Sequence, residues 1–282
     1  MSLTHWLALR EPLDAASRSF ELTRAVAAAL PRDRPLRIVD LGCGTGSNAR
    51  YLEPHLRGSH DWLLVDADPS VLAIARNGLK AVPYEQEKKM PVVGNGLQTV
   101  FYQARLLDLG ARNAPEIFAG RDLVTASALL DLVSEDFLAW LAEQCRAVGA
   151  VALFALTYTG RSRCIPAEPE DGVICALLNL HQRQSDKGFG PAAGPDAVAC
   201  AEQAFTAAGF HVRREPSNWR VEPEAIELQE RLMQGWVDAA LELAPFEADT
   251  IHDWHARRRA HLHAGRSRIV VSHEDLAAFP LG

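Results

Sequence analysis

The chain has 282 residues, 48% of them hydrophobic and 23% charged, with a formal net charge of −7 at pH 7. That composition suits a full α/β domain with sizeable insertions and excludes disorder as the overall class. An acidic chain without a long basic run lacks a nucleic-acid footprint, and no apolar run is long enough to cross a membrane.

Residues 14–30 are alanine-rich with helical apolar spacing and stop at Pro31, which predicts a helix. Strands and helices are then expected to alternate: strand 36–40, helix 47–57, strand 61–66 and helix 69–81, the last with Asp68 before Pro69 as its cap. A polar stretch over 83–96 precedes a third strand at 99–107, and a fourth follows at 122–126. Ser134 stands as N-cap of a helix over 135–148, and the near-continuous apolar run 149–158 reads as a central strand buried on both faces.

Beyond that strand the pattern departs from simple alternation. A detour over 159–195 precedes a helix at 196–208 and a sixth strand at 210–214, with room to continue to Val221. A second detour over 222–265 is mostly helical by pattern, and a final strand is expected at 268–272. Five scattered cysteines (Cys43, Cys145, Cys164, Cys175, Cys200) without a C-x-x-C pair suit reduced thiols. The N-terminus has acids and a proline too early for a signal peptide, so a cytoplasmic location is expected.

The most informative stretch is LRIVDLGCGTGSN, residues 36–48. A β-branched run ends in Asp40, and Gly42, Gly44 and Gly46 follow at alternate positions. Missing β-carbons there let the backbone approach a ligand. A dinucleotide fingerprint would read G-x-G-x-x-G; here position 47 is Ser47 and the third glycine falls one residue early. Asp40 also suits a cationic ligand better than a pyrophosphate. Twenty residues after Gly46, Asp66 closes the second strand, where a carboxylate can accept from both hydroxyls of a ribose.

These two motifs resemble those of class I S-adenosylmethionine-dependent methyltransferases, over residues 36–158 well and only by topology beyond. The resemblance implies a Rossmann-like, seven-stranded doubly wound sheet with an antiparallel last strand. It further implies S-adenosylmethionine as cofactor, with Asp40, Gly42, Gly44 and Gly46 around its methionine part and Asp66 on the ribose. Cys43 and Ala67 flank these positions. Asp108 matches the acid placed against adenine, with Leu109 supplying a backbone N–H and apolar contact. The plainer reading of Asp108 is a turn residue before Gly110.

After the fourth strand the chain reads TASALLDLVSED, without the N/D-P-P-Y/F/W motif of methyltransferases acting on amines of bases and amides of glutamine. That absence resembles enzymes with small-molecule acceptors. Ser127 is expected at the donor, and Asp131 is a candidate general base or grip for a cationic acceptor, or equally a loop carboxylate held by backbone N–H groups. Both detours leave the carboxyl edge of the sheet, where open α/β sheets bind ligands, and are expected to form a mostly helical cap. The organisation is then an N-terminal helix and donor-binding core (1–158), a cap insertion (159–195), continued core (196–221), a helical cap insertion (222–265) and a final strand and tail (266–282). Packing against a second copy, a homodimer, is the alternative use of the insertions' apolar faces.

The first insertion carries His181, Lys187 and Phe189 beside three glycines, a composition suited to a substrate lid. His181 is the catalytic candidate there, and Lys187 and Phe189 are the acceptor-binding ones. A metal is not expected: His252 and His255 share a helical face, but no partner pair stands at ligand spacing. The expectation is a methyltransferase of a small-molecule acceptor. A donor-binding regulatory protein and a methyltransferase of a macromolecule are the alternatives.

Overall fold

The structure, a computed structural model, describes residues 2–84 and 99–282. Most of the polar stretch expected over 83–96 therefore lies outside the described residues. The rest forms one mixed sheet built from β1 (Leu36–Leu41), β2 (His60–Asp66), β3 (Val82–Pro83), β4 (Val100–Leu106), β5 (Leu123–Ser127), β6 (Val151–Ile165), β7 (Phe210–Pro216), β8 (Trp219–Val221) and β9 (Arg268–Pro280). The strand order is β3-β4-β2-β1-β5-β6-β9-β7, with β8 paired to β9 off this path. Strands β1 to β6 run parallel, and β9 runs antiparallel between β6 and β7. Without the short β3 and β8, this is the seven-stranded order that the resemblance implies.

Helices α1 (Leu3–Ser17), α2 (Phe20–Ala29), α3 (Ser47–Leu52), α4 (Pro69–Leu79), α5 (Glu135–Val148), α6 (Asp171–Gln184), α7 (Ala197–Ala207), α8 (Ile226–Leu243) and α9 (Ala248–His263) surround the sheet. One face of the sheet packs α5 and α7 through Phe137, Leu141 and Phe205; the other packs α2 and α3 through Leu22, Val26 and Leu52. Cover on both faces is why β1, β2 and β5 are continuous apolar runs and not alternating ones. A third apolar cluster gathers the far half of β6 with β8, α6, α8 and α9 around Trp219, Trp236 and Trp254. Trp6, Leu9 and Leu13 of α1 pack against it. The N-terminal helix thus shares one apolar cluster with both insertions.

Three expected boundaries moved. The helix expected over 14–30 breaks at Arg18 because Ser19 leaves the helical path and caps α2, its hydroxyl accepting from Leu22 N–H. The Ser19 N–H in turn donates to Asp275 at 2.8 Å. The last strand continues past Ser272 to Pro280, and β6 continues past Tyr158 to Ile165, so the first insertion begins as strand. The hidden half of β9 follows His273, Glu274 and Asp275, a polar triplet that reads as a strand end. Asp275 is in fact fully buried, accepting from Leu156 N–H and lying 3.6 Å from the Arg18 guanidinium. Leu156 sits at φ 55°, and the β6–β9 register shifts beside it.

Candidate active site

β1 delivers the chain into a loop whose three glycines all take the left-handed conformation, at φ 60° for Gly42, 54° for Gly44 and 86° for Gly46. A side chain is strained in that region, which is the physical reason for glycine at these positions. From the neighbouring strand, Asp66 reaches across: its Oδ2 accepts from Gly44 N–H at 2.8 Å and its Oδ1 from Asp68 N–H at 2.9 Å. Asp68 caps α4 through Ser70 N–H, at 2.7 Å, which leaves Asp66 turned towards the loop.

The loop walls a cleft of about 260 Å3 at the carboxyl ends of β1, β2, β4 and β5. Gly42, Cys43, Gly44, Asp66, Ala67, Leu109, Ser127 and Phe189, all singled out in the sequence, line it together. Val71 and Leu107 add an apolar side, and Thr45, Ser47 and Asn48 a polar one. Burial pushes the Cys43 thiol well above its ordinary range, so it is neutral.

The remaining wall comes from α1, which the sequence reading placed only as part of the core. Leu3, Leu7, Arg10 and Asp14 face the cleft. Arg10 Nε donates to Asp14 Oδ2 at 2.8 Å, and the same guanidinium lies over the Trp219 ring, 5.2 Å from its centroid. Burial raises the Asp14 carboxyl above its usual range against the pull of Arg10, and Oδ1 has no partner. Outside the cleft, Glu11 clasps Arg50 of α3 with two bonds of 2.7 Å. The only sequence trace of this wall is the i, i+4 spacing of Arg10 and Asp14.

Beneath the loop lies a buried polar network. Asp40 is fully buried; its Oδ1 accepts from Asn48 Nδ2 at 2.7 Å, while Oδ2 has no partner. Burial dominates and raises its pKa to about 7, opposed by the Asn48 bond and the nearby Arg18 charge. Arg18 NH1 donates to Asn48 Oδ1 at 2.8 Å and stacks over Tyr51 at 4.4 Å. The elbow between α1 and α2 is therefore tied to the helix that starts at the glycine loop.

Several expected site residues stand elsewhere. Asp40 acts from below the cleft through Asn48 and does not line it. A β-carbon on Gly46 would meet Leu79 Cδ1 at 2.7 Å, so packing of α3 against α4 already requires that glycine, which is not among the cleft-lining residues. Asp108 accepts from Gly110 N–H at 2.9 Å as a turn residue and is absent from the cleft lining. Asp131 is buried and is absent from the cleft lining; burial pushes it up to about 6 against the pull of Arg10, and its Oδ1 has no hydrogen-bond partner. His181 pairs with Glu242 at 3.0 Å and lines a different cavity. Lys187 is exposed, whereas Phe189 turns inward against Phe137, with ring centroids 4.8 Å apart. The second insertion reaches the neighbouring cavity, not the cleft. Among the described residues no metal-binding cluster occurs, and no helix is long and apolar enough to cross a membrane.

No protein-family model matches the chain. Over 85 residues, 26% of this chain, it is 36% identical to the non-reducing polyketide synthase tazA of Aspergillus terreus, and that match spans 3% of the synthase. Among solved structures, the cyclopropane synthase MmaA2 from Mycobacterium tuberculosis aligns over 91% of this chain and 82% of its own at 11% identity and TM-score 0.48. The YcgJ protein of Bacillus subtilis aligns over 94% and 100% at 15% identity and TM-score 0.49. Phosphoethanolamine N-methyltransferase 2 of Haemonchus contortus, solved with S-adenosylhomocysteine, aligns over 100% and 59% at 14% identity and TM-score 0.45. The strand order itself, with β9 antiparallel between β6 and β7, gives the chain a Rossmann-like fold.

Proposed function

We propose that the chain is an S-adenosylmethionine-dependent methyltransferase of a small-molecule acceptor. The observation that carries this reading is Asp66, a carboxylate at the end of β2 that walls the cleft opposite three left-handed glycines. Each of its oxygens accepts one amide and keeps a lone pair for a ribose hydroxyl. Val71, Leu107 and Leu109 offer the apolar slot that an adenine needs.

The amino-acid end of such a donor is a zwitterion, and α1 presents a matching pair. Arg10 suits the carboxylate and Asp14 the ammonium, both residues lining the cleft. When bound, the donor supplies an activated methyl group on a sulfonium. The chain's own part is alignment and exclusion of water, the two effects such a displacement needs most. Leu3 and Leu7 close the cleft from α1, and Phe189 closes it from the first insertion. Asp14 and Asp66 are the acids that line it; Asp131 is buried and does not.

A recessed cleft, walled by α1 and by Phe189 of the first insertion, suits a small acceptor better than a macromolecule. Calorimetry tests the donor half: S-adenosylhomocysteine should bind with micromolar-order affinity, roughly −8 kcal/mol, and NAD should not bind. Incubation with methyl-labelled donor and metabolite extracts tests transfer. Label appearing in protein or RNA alone would move the macromolecular reading ahead, and binding without any transfer would favour a regulatory role.

A further inference from the structure

The first insertion enters the donor cleft through one short tip, residues 185–192. Ala192 N–H donates to Ser185 O at 3.0 Å and closes its neck. Within it, Asp186 Oδ1 accepts from the N–H groups of Gly188, Phe189 and Gly190 at 2.7, 3.1 and 3.1 Å. Both glycines take the left-handed conformation, at φ 91° and 84°, so the tip is shaped by its own bonds before any ligand arrives. The Phe189 ring lines the cleft half-buried, backed by Phe137, and packs on the apolar cluster that includes Leu109.

The tip rests on the turn that follows β4. A β-carbon built on Gly110 would overlap the Gly188 carbonyl oxygen and stand 2.9 Å from its carbon. Gly110 is not in the left-handed conformation, and it does not line the cleft. Neither its backbone nor a ligand therefore requires glycine at this position; close approach of the tip does. Among the described residues no hydrogen bond joins the tip to this turn, so the two can part at small cost.

We infer that the tip is a latch for the donor's adenine, with Phe189 as the cover of the apolar slot and Gly110 as the seat on which the cover closes. The slot formed by Val71, Leu107 and Leu109 lies beside that seat, which sets Phe189 at the base end of the cleft. A purine offers an aromatic ring a flat apolar partner. Phe189, expected from sequence to touch the acceptor, then retains the donor instead, and entry and exit of the donor require the tip to lift. The ligand's identity rests on the methyltransferase reading; the docking of the tip on Gly110 does not.

Calorimetry on the full chain, with S-adenosylhomocysteine and adenosine as probes, tests the latch. Phe189→Ala should weaken both by about tenfold, the usual worth of one aromatic–base contact, and Phe189→Tyr should restore most of the loss. Gly110→Ala should weaken both by a similar factor by unseating the tip. The double variant should lose no more than either single one, because an unseated Phe189 has nothing left to contribute. Lys187 is exposed at the tip and gives a second readout: S-adenosylhomocysteine should slow tryptic cleavage after Lys187 in the parent chain and in neither alanine variant. Unchanged affinity in Phe189→Ala, losses that add in the double variant, or cleavage indifferent to ligand would each overturn the inference. Should Gly110→Ala lose its cooperative melt, Phe189→Ala and the cleavage assay decide. Adenosine held in a Phe189-dependent way without any binding of S-adenosylhomocysteine would remove the methyltransferase reading and keep the latch; binding of neither would overturn both.

Discussion

Arg10 and Asp14 meet at 2.8 Å on the face of α1 that closes the glycine-loop cleft, and both side chains are largely buried there. A pair so placed is either a strap that seats α1 or a recognition device for a zwitterion. Arg10→Met separates the two. As a recognition device, it should weaken S-adenosylhomocysteine about tenfold, near 1.4 kcal/mol, and leave 5′-methylthioadenosine, which lacks the amino-acid end, unaffected. Equal losses for both ligands in calorimetry would assign Arg10 to seating the helix.

Asp66 carries two duties, and its variants should reveal both. Asp66→Ala should reduce affinity for S-adenosylhomocysteine by about 1–3 kcal/mol, since ribose hydroxyls lose charge-assisted bonds. It should also lower the melting temperature, because Gly44 and Asp68 amides lose their acceptor. Asp66→Asn keeps one acceptor oxygen and should fall between. An unchanged affinity in the alanine variant would reduce Asp66 to loop support.

The glycines are not interchangeable. Gly46→Ala forces a β-carbon to within 2.7 Å of Leu79 at φ 86° and should cost stability, about 1–2 kcal/mol, with donor affinity of the folded protein retained. Gly44 faces the cleft, and its β-carbon would stand only 3.4 Å from Leu7 Cδ1. Gly44→Ala should therefore hurt binding more than Gly46→Ala does. A bulky Gly44→Val is a poorer probe than the loop spacing suggests: at φ 54° a β-branched residue strains the backbone as well as blocking a ligand. Denaturant unfolding and calorimetry on the same samples check both statements.

The buried Asp40 carboxyl predicts a pH signature. Its pKa is about 7 in the folded chain against 3.8 for the ordinary group, so the folded state holds this proton more tightly than the unfolded one. Its contribution to stability is present below about pH 4 and is lost as pH rises towards 7. Asp131, at about 6, acts in the same direction, whereas His273, lowered to about 3 by burial and Arg10, loses stability as pH falls from about 6.5. Asp40→Asn should remove its share, flattening the loss between pH 5 and pH 8 by on the order of 2–3 kcal/mol in urea unfolding. A slope unchanged by the substitution would mean that Asp40 titrates normally.

Much of the donor side could be read along the chain. The switch from a continuous apolar run to three alternating glycines marks a strand, a tight loop and a helix start. Asp66 and Asp68 divide their tasks by distance from Pro69. Asp108 shows the opposite case, since a turn acid before glycine looks the same whether or not a ligand stands beside it. Gly46 does as well, because close approach of a ligand and close approach of Leu79 both require a missing side chain. His181 and Lys187 belong to a segment with the composition of a lid, yet of that segment's candidates only Phe189 turns into the cleft, where Phe137 offers it a ring to pack on.

Local sequence is enough to specify the alternating core, the glycine loop and the acid across from it, because those depend on short-range periodicity and on backbone conformations only glycine adopts easily. Tertiary structure alone decided which surfaces close the cleft. An amphipathic helix declares that it has an apolar face but not what that face will cover, so the wall built by Leu7, Arg10 and Asp14 could not be read from α1. The same holds for the cavity between Trp6 and Trp236, whose two sides stand more than two hundred residues apart in the chain. Long-range packing brings them together, and no local pattern records it.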